Sequence, residues 1–407
     1  MVSSTICYFV FVLFSLTVCV KCQTCQGVSQ YGECSTNSAC GCFHTKATEG
    51  SGICAFLWLT CSQLISCEPL NNVCYQPGHV CVHHSRCFNH PVCYPLSMTE
   101  PICPPIPSLP LRPGDGICAN ATWAKNATTI AGGNGQGSQL NQFDRPHGLF
   151  LDDNQNLYVA DSVNDRIVKW GRNVSSGQLV AGGNGRGNDS NQLNFPLDVS
   201  VDTNGTMYIS DRGNERVQRW SLGARNGQTI IDDIFVFGIV QDDQGSPYTS
   251  DLRKNEVKKW RIGEMIGQSI TSEVQFPGLL FADRYRSIYI SDVFNDRVIK
   301  VDDQTTQISV VAGGSRGDGA NQFYFPSGVA VDGLGTVYVA DSYNNRVMRW
   351  PHGATFGTVI AGGRGQGSRS DQLDNPIGIL FDLDGNLYVV DQNNNRVQKF
   401  DIDNNSC

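Results

Sequence analysis

The sequence has no surplus of basic residues. Its 30 Lys and Arg residues are outnumbered by 38 Asp and Glu residues, which gives a formal net charge of -8 and an isoelectric point near 5.3. Nucleic-acid binders normally carry a basic surplus or stripe, because much of their affinity comes from the phosphate backbone. We therefore expect no nucleic-acid partner.

Long apolar runs are also missing, except near the amino terminus. There an uncharged apolar stretch of 14 residues runs from Cys7 to Val20. It would span about 21 Å as a helix, whereas the hydrocarbon core of a bilayer is about 30 Å thick. We interpret residues 1–22 as a signal peptide cleaved near Cys22. The expected product is secreted and extracellular, with no membrane span.

Cysteine pairs with the Cys-x-x-Cys spacing of a zinc site are absent beyond Cys25, although the chain has 17 cysteines. Twelve of them lie between Cys25 and Cys103, and Cys118 and Cys407 are isolated. These make an even number once the signal peptide is removed, which favours disulfides in a secreted chain. We predict a disulfide-rich module at residues 23–104, whose connectivity the spacing does not give.

A proline-rich stretch follows this module. Residues 105–117 read PIPSLPLRPGDGI. Because proline fixes φ, such a stretch favours a stiff, extended linker. We place a domain boundary there and a second domain at residues 118–407.

The second domain contains one segment repeated six times. Each copy approximates Tyr-Val-Ala-Asp-x-x-Asn-x-Arg-Val, and its aspartate recurs at intervals of 50, 40, 41, 49 and 50 residues. These aspartates are Asp161, Asp211, Asp251, Asp292, Asp341 and Asp391. Each period holds four short segments typical of strands, and a four-stranded sheet cannot bury its apolar face alone. The sequence therefore predicts an all-β fold, a six-bladed β-propeller.

The order of the strands predicts how the ring closes. The outer-strand motif appears first at residues 126–133, and the last set of three strands, ending at Phe400, has no outer strand after it. Residues 126–133 should therefore complete the last blade. Cys118 and Cys407 flank the hairpin that this closure leaves cut, and we predict that they form a disulfide.

These motifs resemble the NHL-repeat family. The resemblance rests on Phe-Pro-x-Gly, then Leu-Tyr-Val-Ala-Asp-x-x-Asn-x-Arg-Val, then Ala-Gly-Gly, and it covers about 290 of the 407 residues. It implies a six-bladed propeller. The third repeat departs from the pattern, because the Phe-Pro step is missing near Phe237 and Gly238, and Glu256 replaces the usual arginine.

Two repeated motifs imitate chemical sites. Asp161, Asn164 and Arg166 resemble a polar triad, but the set recurs in nearly every repeat, whereas a chemical site is usually single. We interpret it as structural, with the aspartate capping a turn and the asparagine in a left-handed conformation. The glycines of AGGNGQG precede a strand rather than a helix, which argues against a phosphate-binding loop.

Residues that break the repeat are better candidates for a binding site. Some stand at the start of inner strands, which face the central channel, and others are arginines and aromatic residues in loops between the second and third strands. The candidates are Arg145, His147, Asp198, Arg212, Arg253, Phe294 and Tyr343. For the first three, which could converge, polar packing specific to one blade is the open alternative.

Six Asn-x-Ser/Thr sequons predict glycosylation. They lie at Asn120, Asn126, Asn173, Asn188, Asn204 and Asn404. The strand order places all of these except Asn188 in loops opposite the candidate residues. Glycans would therefore crowd one face and leave the other to a ligand.

The function that we expect is a monomeric, non-enzymatic binding scaffold for an extracellular protein, peptide or glycan, without a cofactor. An amidating lyase resembles this domain but uses zinc held by three channel histidines, and only His147 and His352 lie in the repeats. A calcium-dependent lactonase stays open as an alternative. Cytosolic relatives act as ubiquitin-ligase adaptors or RNA binders, but this chain has no RING-type cysteine spacing.

Overall fold

A computed structural model divides the chain into two compact units, Met1–Pro110 and Leu111–Cys407. It describes residues 24–26, 40–44, 51–56, 64–68, 73–76, 79–84, 90–95, 112–261, 266–303, 305–403 and 406. The predicted signal peptide, the first part of the predicted linker, Asn404 and Cys407 lie outside the described residues. Within those residues, no helix has the length and apolar character needed to cross a membrane.

In its described residues, the first unit contains two three-stranded antiparallel sheets. One has the order β1-β3-β2, formed by β1 (Thr24–Gln26), β2 (Cys40–His44) and β3 (Ser51–Phe56). The other has the order β4-β6-β5, formed by β4 (Ile65–Ser66), β5 (His79–Val82) and β6 (Val92–Pro95). Disulfides join Cys67 to Cys81 and Cys74 to Cys93. The prediction of disulfides in this region is confirmed.

The second unit contains six four-stranded antiparallel sheets, each of them one blade. The first strand of the unit, β7 (Thr128–Gly132), belongs to the last blade. Blade 1 comprises β8 (Pro146–Leu151), β9 (Leu157–Asp161), β10 (Arg166–Trp170) and β11 (Gln178–Gly182). Blade 2 comprises β12 (Pro196–Val201), β13 (Met207–Asp211), β14 (Arg216–Trp220) and β15 (Gln228–Ile231). Blade 3 comprises β16 (Val236–Gln241), β17 (Pro247–Asp251), β18 (Glu256–Lys259) and β19 (Gln268–Thr271).

The remaining blades repeat this arrangement. Blade 4 comprises β20 (Pro277–Ala282), β21 (Ile288–Asp292), β22 (Arg297–Val301) and β23 (Ile308–Gly313). Blade 5 comprises β24 (Pro326–Val331), β25 (Val337–Asp341), β26 (Arg346–Trp350) and β27 (Thr358–Gly362). Blade 6 comprises β28 (Pro376–Phe381), β29 (Leu387–Asp391), β30 (Arg396–Phe400) and β7. Short 3-10 helices follow the second strand of five blades, at Ser162–Asn164, Arg212–Asn214, Val293–Asn295, Ser342–Asn344 and Gln392–Asn394.

The six blades form a closed ring with their first strands around the axis. Each first strand contacts the first strand of the next blade, and β28 contacts β8. The first strands of blades 2 and 5 are buried along their whole length, whereas an outer strand such as β11 is exposed over its first two residues. Short strands rich in β-branched and aromatic residues suit this packing, because apolar faces of neighbouring blades cover each other. The predicted six-bladed propeller is confirmed.

The ring closes where β7 pairs with β30, as predicted from the strand order. The register sets Gly132 opposite Arg396 and Thr128 opposite Lys399. Gly132 has φ of +69°, and a Cβ atom there would lie 2.5 Å from the carbonyl oxygen of Asn395. Glycine is therefore required where the chain leaves the closing strand.

The segment before β7 packs against blades 5 and 6. The Nε1 of Trp123 donates a hydrogen bond to the carbonyl oxygen of Gly385 (2.9 Å). The centroid of its ring lies 5.8 Å from those of Tyr338 and Phe381. Trp123 thereby fills the space between two blades on the side away from the candidate site.

Arg349 holds the same segment by its backbone. Its guanidinium donates to the carbonyl oxygens of Cys118 (3.1 Å), Ala119 (2.7 Å) and Ala121 (3.0 Å). Arg219 is at the equivalent position in blade 2, but it is exposed. Arg349 therefore stabilises the amino-terminal segment, whereas Arg219 has no such role in blade 2.

Cys118, within this anchored segment, is disulfide-bonded. Its predicted partner, Cys407, lies outside the described residues, so the pairing stays a prediction. The preceding residue of the chain, Ser406, has its carbonyl oxygen 3.8 Å from Cys118 Sγ. The two ends of the unit are therefore close together.

In every blade except blade 3, the repeated Asp-Asn-Arg motif joins the blade to the loop that leads into it. In blade 1, Asp161 Oδ2 accepts hydrogen bonds from Asn164 Nδ2 (2.8 Å) and Arg166 Nε (2.7 Å). The same guanidinium donates to carbonyl oxygens of residues 138–142. The prediction of a capping aspartate is wrong here, because the carboxylate has no cap bond to the turn, and the left-handed residue is Asp165 rather than Asn164.

Blade 3 lacks the asparagine and arginine of this motif, and its aspartate acts differently. Asp251 Oδ1 accepts hydrogen bonds from the backbone nitrogens of Arg253 (2.9 Å) and Lys254 (3.2 Å). Here the aspartate does cap the turn. With Glu256 in place of the arginine, no guanidinium competes for the carboxylate.

Candidate functional site

Four phenylalanines lie on one rim of the propeller, each just before the first strand of its blade. They belong to four consecutive blades, 2 to 5, and all are half-buried. We call them the aromatic arc: Phe195, Phe235, Phe276 and Phe325. The corresponding residues of blades 1 and 6 are Arg145 and Asn375, so the arc covers part of the rim only.

The prediction of a gap in the third repeat is corrected by this arrangement. Phe235 takes the place of the arc phenylalanine in blade 3, although Val236 rather than proline follows it. Phe237, two residues later, is buried in the first strand. The aromatic position is therefore kept and only the proline is lost.

Two predicted site residues on the arc are aromatic, and each stacks on an arc phenylalanine. Phe294 lies on Phe276 with ring centroids 4.7 Å apart and planes at 15°, and Tyr343 lies on Phe325 at 4.7 Å and 9°. Phe294 is 53% exposed and Tyr343 is 50% exposed. About half of the surface of each of these two rings is therefore open to a partner.

The other two loop residues are arginines, and both lie over Phe235. The Cζ of Arg212 is 4.5 Å from the ring centroid of Phe235 and 5.8 Å from that of Phe195. The Cζ of Arg253 is 5.5 Å from Phe235, and its guanidinium is also paired with Glu215. Cations over aromatic faces are attracted by the ring quadrupole. The structure therefore brings all four predicted loop residues onto one surface.

Arg212 differs from Arg253 in having no anionic partner. Its guanidinium makes no hydrogen bond or ion pair with any described residue, and its Nε is fully buried without a partner. Burial lowers the pKa of Arg212 from its ordinary value. The side chain is thus a partly desolvated cation whose hydrogen-bonding capacity is unused.

His147 lies beside this surface, at the second position of β8, and is only 7% exposed. Its ring centroid is 4.8 Å from that of Phe237 in an edge-to-face arrangement. Its Nδ1 has no hydrogen-bond partner. Burial lowers the pKa of His147 to about 3; a hydrogen bond with the backbone of Leu197 opposes this shift, and the charge of Arg212 adds to it. The imidazole is therefore neutral at physiological pH.

Asp198 is placed inside the ring and not on the rim. Its carboxylate accepts hydrogen bonds from the backbone nitrogens of Val199 and Ile239, each at 2.9 Å, and so links blade 2 to blade 3. Four other blades have glycine at this position, and a Cβ on Gly148 would lie 2.1 Å from Asp198 Oδ1. Burial raises the pKa of Asp198 to about 7. This geometry favours the alternative of polar packing for this residue.

Arg145 is exposed, and its backbone nitrogen donates to Asn395 Oδ1 (2.8 Å). Among the described residues, no hydrogen bond or ion pair joins its side chain to His147 or Asp198. The structure therefore brings His147 to the arc, buries Asp198 beneath it and leaves Arg145 at the rim of blade 1.

Apolar side chains fill the axis just below the rim. Leu197, Phe237, Leu279 and Ile377 belong to one buried cluster, although they come from blades 2, 3, 4 and 6. Arc phenylalanines pack against the same cluster. The candidate site is thus a shallow aromatic surface over a filled axis.

The five described sequon asparagines are all exposed: Asn120, Asn126, Asn173, Asn188 and Asn204. Asn188 lies in the loop between β11 and β12, on the same side as the arc. Asn173 lies between the third and fourth strands of blade 1, Asn204 lies between the first and second strands of blade 2, and Asn120 and Asn126 precede β7; all four are on the opposite side. Their glycosylation stays a prediction.

Side chains grouped like the ligands of a metal ion occur once in the described parts of the chain. They are Cys67, Cys74 and Cys93, in the first unit. Each of these cysteines is in a disulfide, so its sulfur is not available as a thiolate ligand. Neither His147 nor Asp198 belongs to such a group.

The aromatic arc itself was missed by sequence reasoning. Its signal is the Phe-Pro step in blades 2, 4 and 5, which in the sequence alone indicates only the repeat. The positions are 40 to 49 residues apart in the chain and meet only because the ring closes. Copies of one repeated residue form a continuous surface when the ring brings them to the same rim.

Comparisons with known proteins agree with this fold. The NHL repeat matches residues 323–350, and no curated protein matches the sequence. A structure of a Bacteroides thetaiotaomicron protein of unknown function is similar, with 14% identity over 93% of this chain and 94% of that one and a TM-score of 0.56. An auxiliary nutrient binding protein from Bacteroides ovatus has 15% identity over 70% of this chain and 77% of its own, with a TM-score of 0.55.

A gluconolactonase from Xanthomonas campestris is similar as well. It has 15% identity over 73% of this chain and 99% of its own, with a TM-score of 0.51. Likeness at these identities shows the fold alone. With its six repeats and its closed ring, the chain is a six-bladed β-propeller that carries a matched NHL repeat in blade 5.

Proposed function

We propose that this chain is a secreted, non-enzymatic binding scaffold whose aromatic arc, with the loop side chains packed on it, binds an extracellular protein, peptide or glycan. The observation that carries the proposal is the convergence of Arg212, Arg253, Phe294 and Tyr343 on the arc. Exposed aromatic and arginine side chains that are already ordered are the residues that dominate protein interfaces.

Aromatic side chains on the arc are exposed to water in the free protein, and this unfavourable solvation supports a binding partner. Phe294 and Tyr343 each leave about half of their surface in water. Contiguous apolar patches on soluble monomers commonly mark interaction sites. Because stacking already fixes these rings, a partner would lose little conformational entropy on binding them.

Secretion fits the chemistry of the first unit. The bonds Cys67–Cys81 and Cys74–Cys93 would persist in an oxidising compartment and would be reduced in cytosol. The exposed sequons can be reached by glycosylation enzymes in the same compartment.

The fold alone does not choose between a binder and an enzyme, since its structural relatives include both a nutrient binding protein and a gluconolactonase. The residues favour the binder. In the described part of the propeller, no three His, Cys, Asp or Glu side chains are grouped for a metal, and the buried carboxylate of Asp198 is held by two backbone nitrogens.

The test is a pull-down from extracellular fluid with the full chain. We expect the double variant Phe294→Ser/Tyr343→Ser to lose the partners that the wild type retains. Phe356→Ser is the matched control, because Phe356 is 61% exposed in a loop on the opposite face. Equal recovery by wild type and double variant would remove the arc from the proposal. Hydrolysis of a lactone by the calcium-loaded wild type would contradict the scaffold proposal and indicate an enzyme.

A further inference from the structure

Arg212 is unusual among the arginines of the arc face. Apart from the exposed Arg145, the others are paired with carboxylates. They are Arg166, Arg186, Arg216, Arg253, Arg297, Arg316, Arg346, Arg364, Arg369 and Arg396. Arg212 lies between two aromatic rings with no carboxylate and no hydrogen bond in the described structure. An unpaired, partly buried cation indicates a missing anion.

His147 is a second and independent sign of a missing ligand. It is 7% exposed, and its Nδ1 has no partner. A neutral imidazole nitrogen can accept or donate a hydrogen bond according to its tautomer. The ring of His147 packs on Phe237, whose ring is 5.9 Å from that of the arc residue Phe276, so His147 borders the same aromatic surface.

The surroundings restrict the kind of anion. Phe195 and Phe235 lie beside Arg212, and Phe237 lies beside His147. The ring of Phe237 is also 5.9 Å from that of Phe276, so the apolar surface continues from the arginine toward the stacked pairs. These aromatic rings offer few groups that could form hydrogen bonds with the many hydroxyls of a glycan. A single guanidinium without a partner is suited to binding one carboxylate.

We propose that Arg212 binds a carboxylate of a peptide segment in which an aspartate or glutamate, or the terminal carboxylate, stands next to an apolar side chain that packs on the arc. This rests on the proposed function and names the class of its partner. The guanidinium would donate two parallel hydrogen bonds to the carboxylate, and Phe276 with Phe294 would receive the apolar side chain.

The experiment selects peptides from a random twelve-residue display library on the full chain. We expect the selected peptides to share an acidic residue beside an aromatic or branched aliphatic residue. A synthetic peptide from this set is then compared with the same peptide carrying an amide in place of the carboxylate.

Arg212→Gln should weaken binding of the acidic peptide by about tenfold to hundredfold, the usual range for one charge-assisted contact. The amide peptide should bind wild type and Arg212→Gln equally. Arg225→Gln is the matched control, because Arg225 is exposed in a loop of the same blade on the opposite face.

The outcomes separate this inference from the proposed function. The selected peptides could be neutral, with binding that is lost in Phe294→Ser and unchanged in Arg212→Gln. That result would contradict the proposed carboxylate contact but would leave the binding scaffold in place. Peptides insensitive to both changes contradict the scaffold as well. Binding to an array of acidic oligosaccharides, with no peptide selected, also overturns the inference and keeps the arc as a glycan site.

Discussion

His147 and Asp198 are two buried titratable side chains of the inner strands, and burial shifts their pKa values in opposite directions. The pKa of His147 is lowered to about 3, and that of Asp198 is raised to about 7, in both cases mainly because burial disfavours the charged form. Each is therefore neutral over part of the range in which its unfolded counterpart is charged. The stability of the ring depends on pH through both, with opposite signs.

Between about pH 3 and 6.5 the folded state binds fewer protons at His147 than the unfolded chain, so acid removes stability. Between about pH 4 and 7 the folded state binds more protons at Asp198, so rising pH removes stability. We predict that His147→Leu gains stability relative to wild type as pH falls from about 7 to 4.5. Asp198→Asn should gain relative to wild type as pH rises over the same interval.

Urea unfolding followed by tryptophan fluorescence at both pH values measures these differences, and five of the six tryptophans belong to residues 111–407. The control is His352→Leu, the same substitution at an exposed histidine in a loop on the opposite face. Parallel stability curves for His147→Leu and wild type would contradict the assignment.

At the scale of elements, the repeats predict the strands well because each strand obeys a local rule. Alternating β-branched and apolar residues, separated by turn residues, give the same four strands in each blade. The loops are predicted less well. The aspartate of the repeated motif binds an arginine and not the turn, because the guanidinium that fixes the preceding loop claims the carboxylate, as Asp161 and Arg166 show.

The segment before β7 is an element whose anchorage has no sequence signature. Arg349 holds its carbonyl oxygens, but the same kind of residue at the same position, Arg219, is exposed. We predict that Arg349→Ala lowers the free energy of unfolding by about 2 to 4 kcal/mol, because three hydrogen bonds from a charged group are lost. Arg219→Ala should cost less than about 0.5 kcal/mol.

Urea midpoints measure both effects, and limited proteolysis locates them. Arg349→Ala should be cleaved first between Ile117 and Trp123, while the Arg219→Ala digest should resemble that of wild type. Equal midpoints for the two variants would show that the segment is held by Trp123 and its neighbours rather than by Arg349.

At the scale of the whole molecule, closure is the property that the chain order predicts best. An outer strand that precedes all the others can only complete the last blade, and β7 pairs with β30 as expected. The binding surface could be predicted only in part. Loop residues such as Phe294 and Tyr343 stand out against the repeat, whereas Phe276 and Phe325 conform to it and become visible as a surface only in the assembled ring.

A covalent closure of the ring is a further prediction. Cys118 is disulfide-bonded, and Ser406 lies beside it. We predict that peptide mapping without reduction recovers Cys118 linked to Cys407. The double variant Cys118→Ser/Cys407→Ser should then unfold more easily, by at most roughly 5 to 6 kcal/mol for a loop of this length. A peptide joining Cys118 to any cysteine of residues 25–103 would contradict the pairing.

The six repeats are alike in sequence, yet the filled axis makes them non-interchangeable. Leu197, Phe237 and Ile377 occupy the same strand position in three blades and differ in shape, and they interlock around the centre. Copying one blade over another would therefore duplicate one of these shapes and omit another, leaving a void or a clash at the centre. Any rearrangement of the blades must be accompanied by compensating changes in blades far away along the chain.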